Sequence, residues 1–448
     1  MKKLLLAVFT FLSVTSFGQK KKEISLEDIW AKRTFRMEMV YGLSPMKDGD
    51  HYSTMDSVGN VDEYEYSSGK KAASIFKMAN LVPEGGTEPI PLEGYSFSPD
   101  ESKVLIPTES QKIYRRSEKS NYYVYERKTK KLSKLSSNGK QMYAAFSPDG
   151  SKVGFVRENN IYIKELQSGK EIQVTNDGLF NNIINGAADW VYEEEFSFAQ
   201  AFFWSPDGTR IAYYKFDESK VKEFSMNEFG ELYPSVNKFK YPKAGEVNSV
   251  VSIHIYDVAA QSTRAVDIGK EKDQYIPRIQ WSKDANILSV LRMNRLQNKL
   301  ELLFAKAASG ETYLVYQEES KTYVDIHESQ GDFSRFLDNK QQFIIMSERD
   351  GYNHLYLLDM SGNLINQITK GQWDVMSICG IDQKNKTIFY TSTEVSATDR
   401  DIYSVGFDSS NKKKLSTGKG TNEPEFSESC KYYINIFSDA NTPYFISL

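Results

Sequence analysis

Along most of the chain, apolar and polar residues alternate in short runs such as Lys152-Val153-Gly154-Phe155-Val156 and Asn160-Ile161-Tyr162-Ile163-Lys164. A period of two is that of strands with one face buried. Turn residues punctuate the runs. An aromatic-Ser-Pro-Asp-Gly turn, or a variant of it, recurs at Phe97-Ser98-Pro99-Asp100, Phe146-Ser147-Pro148-Asp149-Gly150, Trp204-Ser205-Pro206-Asp207-Gly208 and Trp281-Ser282-Lys283-Asp284. Proline presets the turn, and Asp and Gly supply the bend. Degenerate copies at 43–49, 336–339, 381–385 and 426–429 complete a series of eight. A second hairpin follows in most units, closing on Ser168-Gly169-Lys170 or Ser361-Gly362-Asn363. Four-stranded units spaced by roughly 40 to 50 residues bury their faces only against neighbours, which predicts an all-β, eight-bladed β-propeller over residues 41–448.

Two intervals are too long for a plain blade. The first, 176–201, contains Asp189-Trp190-Val191-Tyr192-Glu193-Glu194-Glu195-Phe196, three adjacent carboxylates among aromatics. Asp189 fits an N-cap, and the glutamates then fall in the first turns of a short helix, where the macrodipole favours negative charge. A cap needs one acid, however, and three crowded like charges call for a cation or for hydrogen-bond donors. The second interval, 216–248, carries Pro234, Pro242, Phe224, Phe229, Tyr233, Phe239 and Tyr241. It predicts an arm projecting from blade four, with aromatics that need a surface to cover them.

Composition narrows the class. Aromatics make up 13% of the 448 residues, with 28 Tyr and 26 Phe, which suits strands packed face to face. A net charge of −4 provides no basic footprint, so nucleic acid is not an expected partner. Lys2 and Lys3, the apolar stretch 4–14 and the small residues Ser16 and Gly18 read as a signal peptide over 1–18, so the protein is expected to be exported, periplasmic or secreted. An uncleaved anchor is the alternative; no run long enough to span a bilayer follows. Cys379 and Cys430 sit in strand-like runs as buried thiols or as one disulfide. Ser25-Leu26-Glu27-Asp28 reads as a capping box opening a short helix. No His with ligand spacing accompanies the glutamates, so neither a metal nor another cofactor is expected.

The acidic octapeptide resembles a motif of the dipeptidyl peptidase IV branch of the prolyl oligopeptidase family. The likeness extends to Tyr241-Pro242-Lys243-Ala244-Gly245 with Val247-Asn248, to 348–356, and to Arg115 in Tyr114-Arg115-Arg116. What the resemblance implies is specific. Glu194 and Glu195 would bind the free N-terminal ammonium of a peptide substrate, and Arg115 would contact its backbone carbonyl and orient the glutamates. Glu193, Trp190 and Tyr192 would be structural. Residues 323–333 would form part of a variable pocket rim, with His327 a possible member. The arm 216–248 would pair with its counterpart in a homodimer, and the segment 19–40 would pack on a hydrolase domain.

The family's nucleophile sits in a G-x-S-x-G turn of a C-terminal α/β-hydrolase domain, and this chain has no such turn. None of His51, His254, His327 and His354 has the context of a Ser-His-Asp triad. The chain is therefore expected to be the substrate-gating, N-terminus-anchoring propeller of an exported serine dipeptidyl peptidase, truncated before its catalytic domain and inactive alone. The alternatives are a stand-alone envelope propeller that binds peptides or proteins, and part of a prolyl tripeptidyl peptidase.

Overall fold

The computed structural model describes residues 23–37, 39–326 and 333–448. The described residues before Val40 form a separate unit whose regular element is a single π-helical turn, Glu27–Ala31. Ser25 opens it: its Oγ accepts from the Asp28 backbone N–H at 3.1 Å and donates to the Asp28 carboxylate at 2.9 Å. The capping serine expected from sequence is present, but five residues wind as a π turn rather than as an α-helix.

Residues 40–448 form the second unit, an eight-bladed β-propeller. Its blades span 41–76, 96–134, 142–173, 183–265, 274–319, 334–367, 375–414 and 421–447, each an antiparallel meander. The eight turn motifs all fall between the first two strands of a blade's meander, or in blade 4 between Phe202–Trp204 and Arg210–Asp217. The chemistry of this turn repeats. Ser98, Ser147 and Ser205 donate their hydroxyls to Asp100, Asp149 and Asp207 at 2.6, 2.5 and 2.6 Å. The same hydroxyls accept the backbone N–H of Lys103, Lys152 and Arg210 at 3.0, 3.0 and 2.9 Å. Hydrogen bonds from Ser98 and Ser102 hold Asp100 down to about 2. Asp149 reaches about 2 against its own burial, through Ser147 and Ser151.

Neighbouring blades share their cores. The largest apolar cluster runs under blades 4 to 6 through Tyr214, Phe216, Ile276, Leu291, Phe304 and Phe343. Blade 8 meets blade 1 where Ser429 Oγ donates to the Gly49 carbonyl at 2.7 Å and Tyr432 stacks on Tyr66 with centroids 5.7 Å apart. Gly49 has φ +75°, and a Cβ there would lie 2.6 Å from that of Ser429, so only glycine permits the approach.

Blades 4 and 8 depart from the four-stranded expectation. Blade 8 has three strands among the described residues, and blade 4 has five. The extra strand, Ile183–Asn185, comes from the acidic insertion and pairs with the end of Arg210–Asp217. Phe216 therefore belongs to the blade core rather than to the arm. The arm itself is a two-stranded hairpin, Glu223–Glu228 with Ser235–Lys240, and the chain returns through Val250–Asp257. Cys379 and Cys430 are unbridged, and burial pushes both thiols up. No helix among the described residues is long and apolar enough to cross a membrane.

Candidate functional site

The acidic octapeptide folds as one α-helix, α1, Trp190–Glu195. Six residues do not hold a helix by themselves. Asp189 caps it, accepting from the Tyr192 N–H at 2.9 Å and from Ser249 Oγ at 2.6 Å. Burial nevertheless pushes the Asp189 carboxyl up. Tyr192, 2% exposed, anchors the helix from below: its hydroxyl oxygen accepts the Ile276 N–H at 2.9 Å. Its ring lies in a cage that includes Phe196, Phe216 and Tyr275.

The three glutamates have three different environments. Glu193 is buried, and one of its oxygens accepts the backbone N–H groups of Arg116 and Ser117 at 2.5 and 2.8 Å. This docks the 114–117 turn of blade 2 onto α1, and Arg116 adds a bond from its guanidinium to Ser197 Oγ at 3.0 Å. The docking places the Arg115 guanidinium 2.9 Å from the Glu194 carboxylate. Arg115 is itself 71% exposed, while Glu194 is 17% exposed. Glu195 is exposed and has no hydrogen bond or ion pair among the described residues. Successive residues of an α-helix diverge by about 100 degrees, which is why one arginine pairs with one glutamate and leaves its neighbour open.

The arm's base closes the other side. Trp190 packs on Tyr241 with centroids 4.3 Å apart, and Tyr114 packs on Phe239 at 5.8 Å. Phe224 lies between them, at 5.5 Å from Tyr241 and 5.9 Å from Phe239. The tip differs: Phe229 and Tyr233 are about four-fifths exposed. The Tyr-Pro-Lys-Ala-Gly stretch thus lands beside α1, and Asn248 at its end donates to the Tyr275 hydroxyl at 2.9 Å.

The structure brings together Arg115, Glu194 and Glu195 from blades 2 and 4, whereas His327 lies outside the described residues. The 348–356 motif sits in blade 6 instead, where Arg349 lies over Tyr316 and Tyr356 at 4.7 and 4.2 Å and His354 bonds Thr369 and the Gly371 carbonyl. His254 contacts Ser252 at 2.9 Å, burial lowers it to about 4, and among the described residues no carboxylate hydrogen-bonds its ring. Sequence reasoning missed Glu218. It is 5% exposed, near Asp189, and pushed up to about 7 by burial first and by the Asp189 charge second. Only its place in a run reading Phe216-Asp217-Glu218, an acid just past a core strand, hinted at this.

Known proteins resemble this chain over almost all of the described propeller. The family model described as the dipeptidyl peptidase IV (DPP IV) N-terminal region matches residues 98–444. Dipeptidyl peptidase 4 of Trichophyton rubrum is 31% identical over 381 residues, covering 82% of this chain and 48% of that protein. The probable dipeptidyl peptidase 4 of Emericella nidulans is 29% identical over 431 residues, 90% of this chain and 54% of the other. The crystal structure of Porphyromonas gingivalis dipeptidyl peptidase 4 superposes with a TM-score of 0.88 at 38% identity, over 95% of this chain and 60% of that one. A putative dipeptidyl aminopeptidase IV from Bacteroides ovatus shares the fold, with a TM-score of 0.71 at 24% identity. The chain spans about half the length of the curated relatives it matches.

Proposed function

The chain belongs to the dipeptidyl peptidase IV family, whose N-terminal propeller it forms, and on that premise we propose that α1 anchors the free N-terminus of a peptide. The observation that carries the proposal is the unequal pairing on α1: Glu194 is held by Arg115, and the exposed carboxylate of Glu195 beside it has no partner among the described residues. A peptide ammonium bridging the two would make charge-assisted bonds to both, roughly twice as strong as neutral ones. Arg115, exposed over most of its surface, is free to turn a donor toward the peptide's first carbonyl while still facing Glu194. Glu193 takes no part in contact with the peptide; it holds the arginine turn in place.

An anchor at this point works as a ruler. A serine nucleophile at a fixed distance from it, in a hydrolase domain of the kind the family carries, releases a product of fixed length, two residues by the names of the relatives. In this reading the propeller belongs to an exported peptidase, does not hydrolyse peptides by itself, and dimerises through the exposed tip of the arm at Phe229 and Tyr233. The test joins this propeller to a hydrolase domain and measures kcat/KM for a free-amine Gly-Pro substrate. Glu195→Gln should lower it by roughly a hundredfold, about 3 kcal/mol of transition-state binding. N-acetylating the substrate should cost the wild type as much and the variant little. Wild-type turnover in Glu194→Gln and Glu195→Gln alike would remove the anchor from α1.

A further inference from the structure

Behind α1, between blades 2, 3 and 4, lies a cavity of about 470 Å³. Its wall is largely apolar and aromatic, with Tyr114, Tyr143, Ile184 and Trp190 contributing, and the 75% exposed Phe180 forms its lip. Two buried carboxyl groups line it as well, those of Asp189 and Glu218. Asp189 is satisfied by Ser249 and by the Tyr192 N–H. Glu218 is not: the residue is 95% buried, and its carboxyl accepts no hydrogen bond and forms no ion pair among the described residues. An unpartnered carboxyl in an apolar cavity is costly when ionised, and a second acid close by makes it costlier.

The positive charges nearby are engaged or outside. Arg157 is paired with Glu171 at 2.6 Å, and Lys140 donates to the Glu109 carbonyl. Lys119 and Glu158, also on the wall, are exposed. Lys240, whose charge acts on Glu218 from the arm, donates to the Val221 carbonyl at 2.8 Å, and Asp217 opposes it.

We propose that this cavity is a second binding site, distinct from the carboxylates of Glu194 and Glu195, and that it takes a small primary amine in its ammonium form, with Glu218 as counter-ion. The aromatic walls suit the ligand's body and attract its charge through their ring faces. The volume lies within the range of small-molecule pockets. A ligand here touches Tyr114 on the arginine turn and Trp190 on α1, so its occupancy bears on both halves of the peptide site. Because burial and Asp189 keep Glu218 partly protonated near neutrality, binding the cation should displace a proton from it.

Benzylamine is the probe, with benzyl alcohol as its uncharged counterpart, titrated calorimetrically into the full chain at pH 7 in two buffers of different ionisation enthalpy. Saturable binding of benzylamine with release of protons to the buffer is expected, and benzyl alcohol should bind at least tenfold more weakly. Glu218→Gln, which keeps the shape of the side chain, should weaken benzylamine at least tenfold with an unchanged circular dichroism spectrum. The Glu194→Gln/Glu195→Gln double variant should bind it as the wild type does. No benzylamine binding, equal binding of the alcohol, retention in Glu218→Gln or loss in the double variant each overturns the proposal. The last of these would leave the α1 anchor standing, whereas loss of the anchor in the peptidase assay would leave this cavity untouched.

Discussion

Blades 3 and 4 share their first turn almost atom for atom. Ser147 and Asp149 in one, and Ser205 and Asp207 in the other, make the same pair of hydrogen bonds, and the glycines that follow, Gly150 and Gly208, have φ of +64° and +69°. Beyond the turn they diverge. Blade 3 is a plain four-stranded meander over 142–173. Blade 4 gains the strand Ile183–Asn185, the helix α1 and the arm, and its buried polar groups are satisfied from elsewhere: Glu193 by blade 2 and Tyr192 by blade 5. The comparison teaches that the repeat's turn chemistry is local, and the site's chemistry is borrowed across blades.

The largest effect should come from cutting blade 4's additions loose. Tyr192→Ala removes a fully buried ring and should cost about 3–5 kcal/mol in urea unfolding. Tyr192→Phe strands only the Ile276 N–H, for about 1–3 kcal/mol. A loss under about 0.5 kcal/mol for both would mean that α1 is an appendage rather than part of the core.

Acidity should separate the two blades by sign. Glu218 is protonated more readily folded than unfolded, so its contribution is fully present below the ordinary glutamate range and is lost as pH rises through about 7, by roughly 3 kcal/mol. Asp149 is the reverse: its contribution is present above the ordinary aspartate range and lost as pH falls through about 2. Unfolding midpoints followed from pH 5 to 8 should fall with rising pH, and Glu218→Gln should flatten that slope. An unchanged slope in the variant would assign it to another group.

The smallest effect is the control on the shared turn. Ser147→Ala and Ser205→Ala should each cost about 1 kcal/mol, and by the same amount, because each hydroxyl makes one bond to an aspartate and one to a backbone N–H. Unequal losses from these two substitutions would show that blade 4's additions reach its turn.

Much of the fold was legible in one dimension because its determinants are near in sequence. Pro148, Asp149 and Gly150 bend the chain within five residues, and the alternation of Val153 and Phe155 with their neighbours declares a strand whatever it packs against. All eight turns stand where that reading put them, and the helix cap at Asp189 does too. The strand Ile183–Asn185 is not legible, since three residues are too few to show a period; it exists because it pairs with the last three residues of Arg210–Asp217. The arm begins later than its aromatics suggest: Phe216 looks like its aromatic neighbours in the arm until the core of blades 4 to 6 takes it.

For the site, the sequence by itself determined which groups were present: three adjacent carboxylates, a capping aspartate and an arginine pair at a distance. Only the tertiary structure decided what each does. Glu193 is a buried tie because the Arg116 and Ser117 N–H groups, 77 and 76 residues earlier, arrive from another blade, Glu194 is paired because that turn carries Arg115, and Glu195 is open because no partner reaches it among the described residues. Glu218 is the sharpest instance. Its neighbours in the chain are ordinary, and its unusual state comes from desolvation and from the charge of Asp189, both properties of a place in space that no short window of sequence contains.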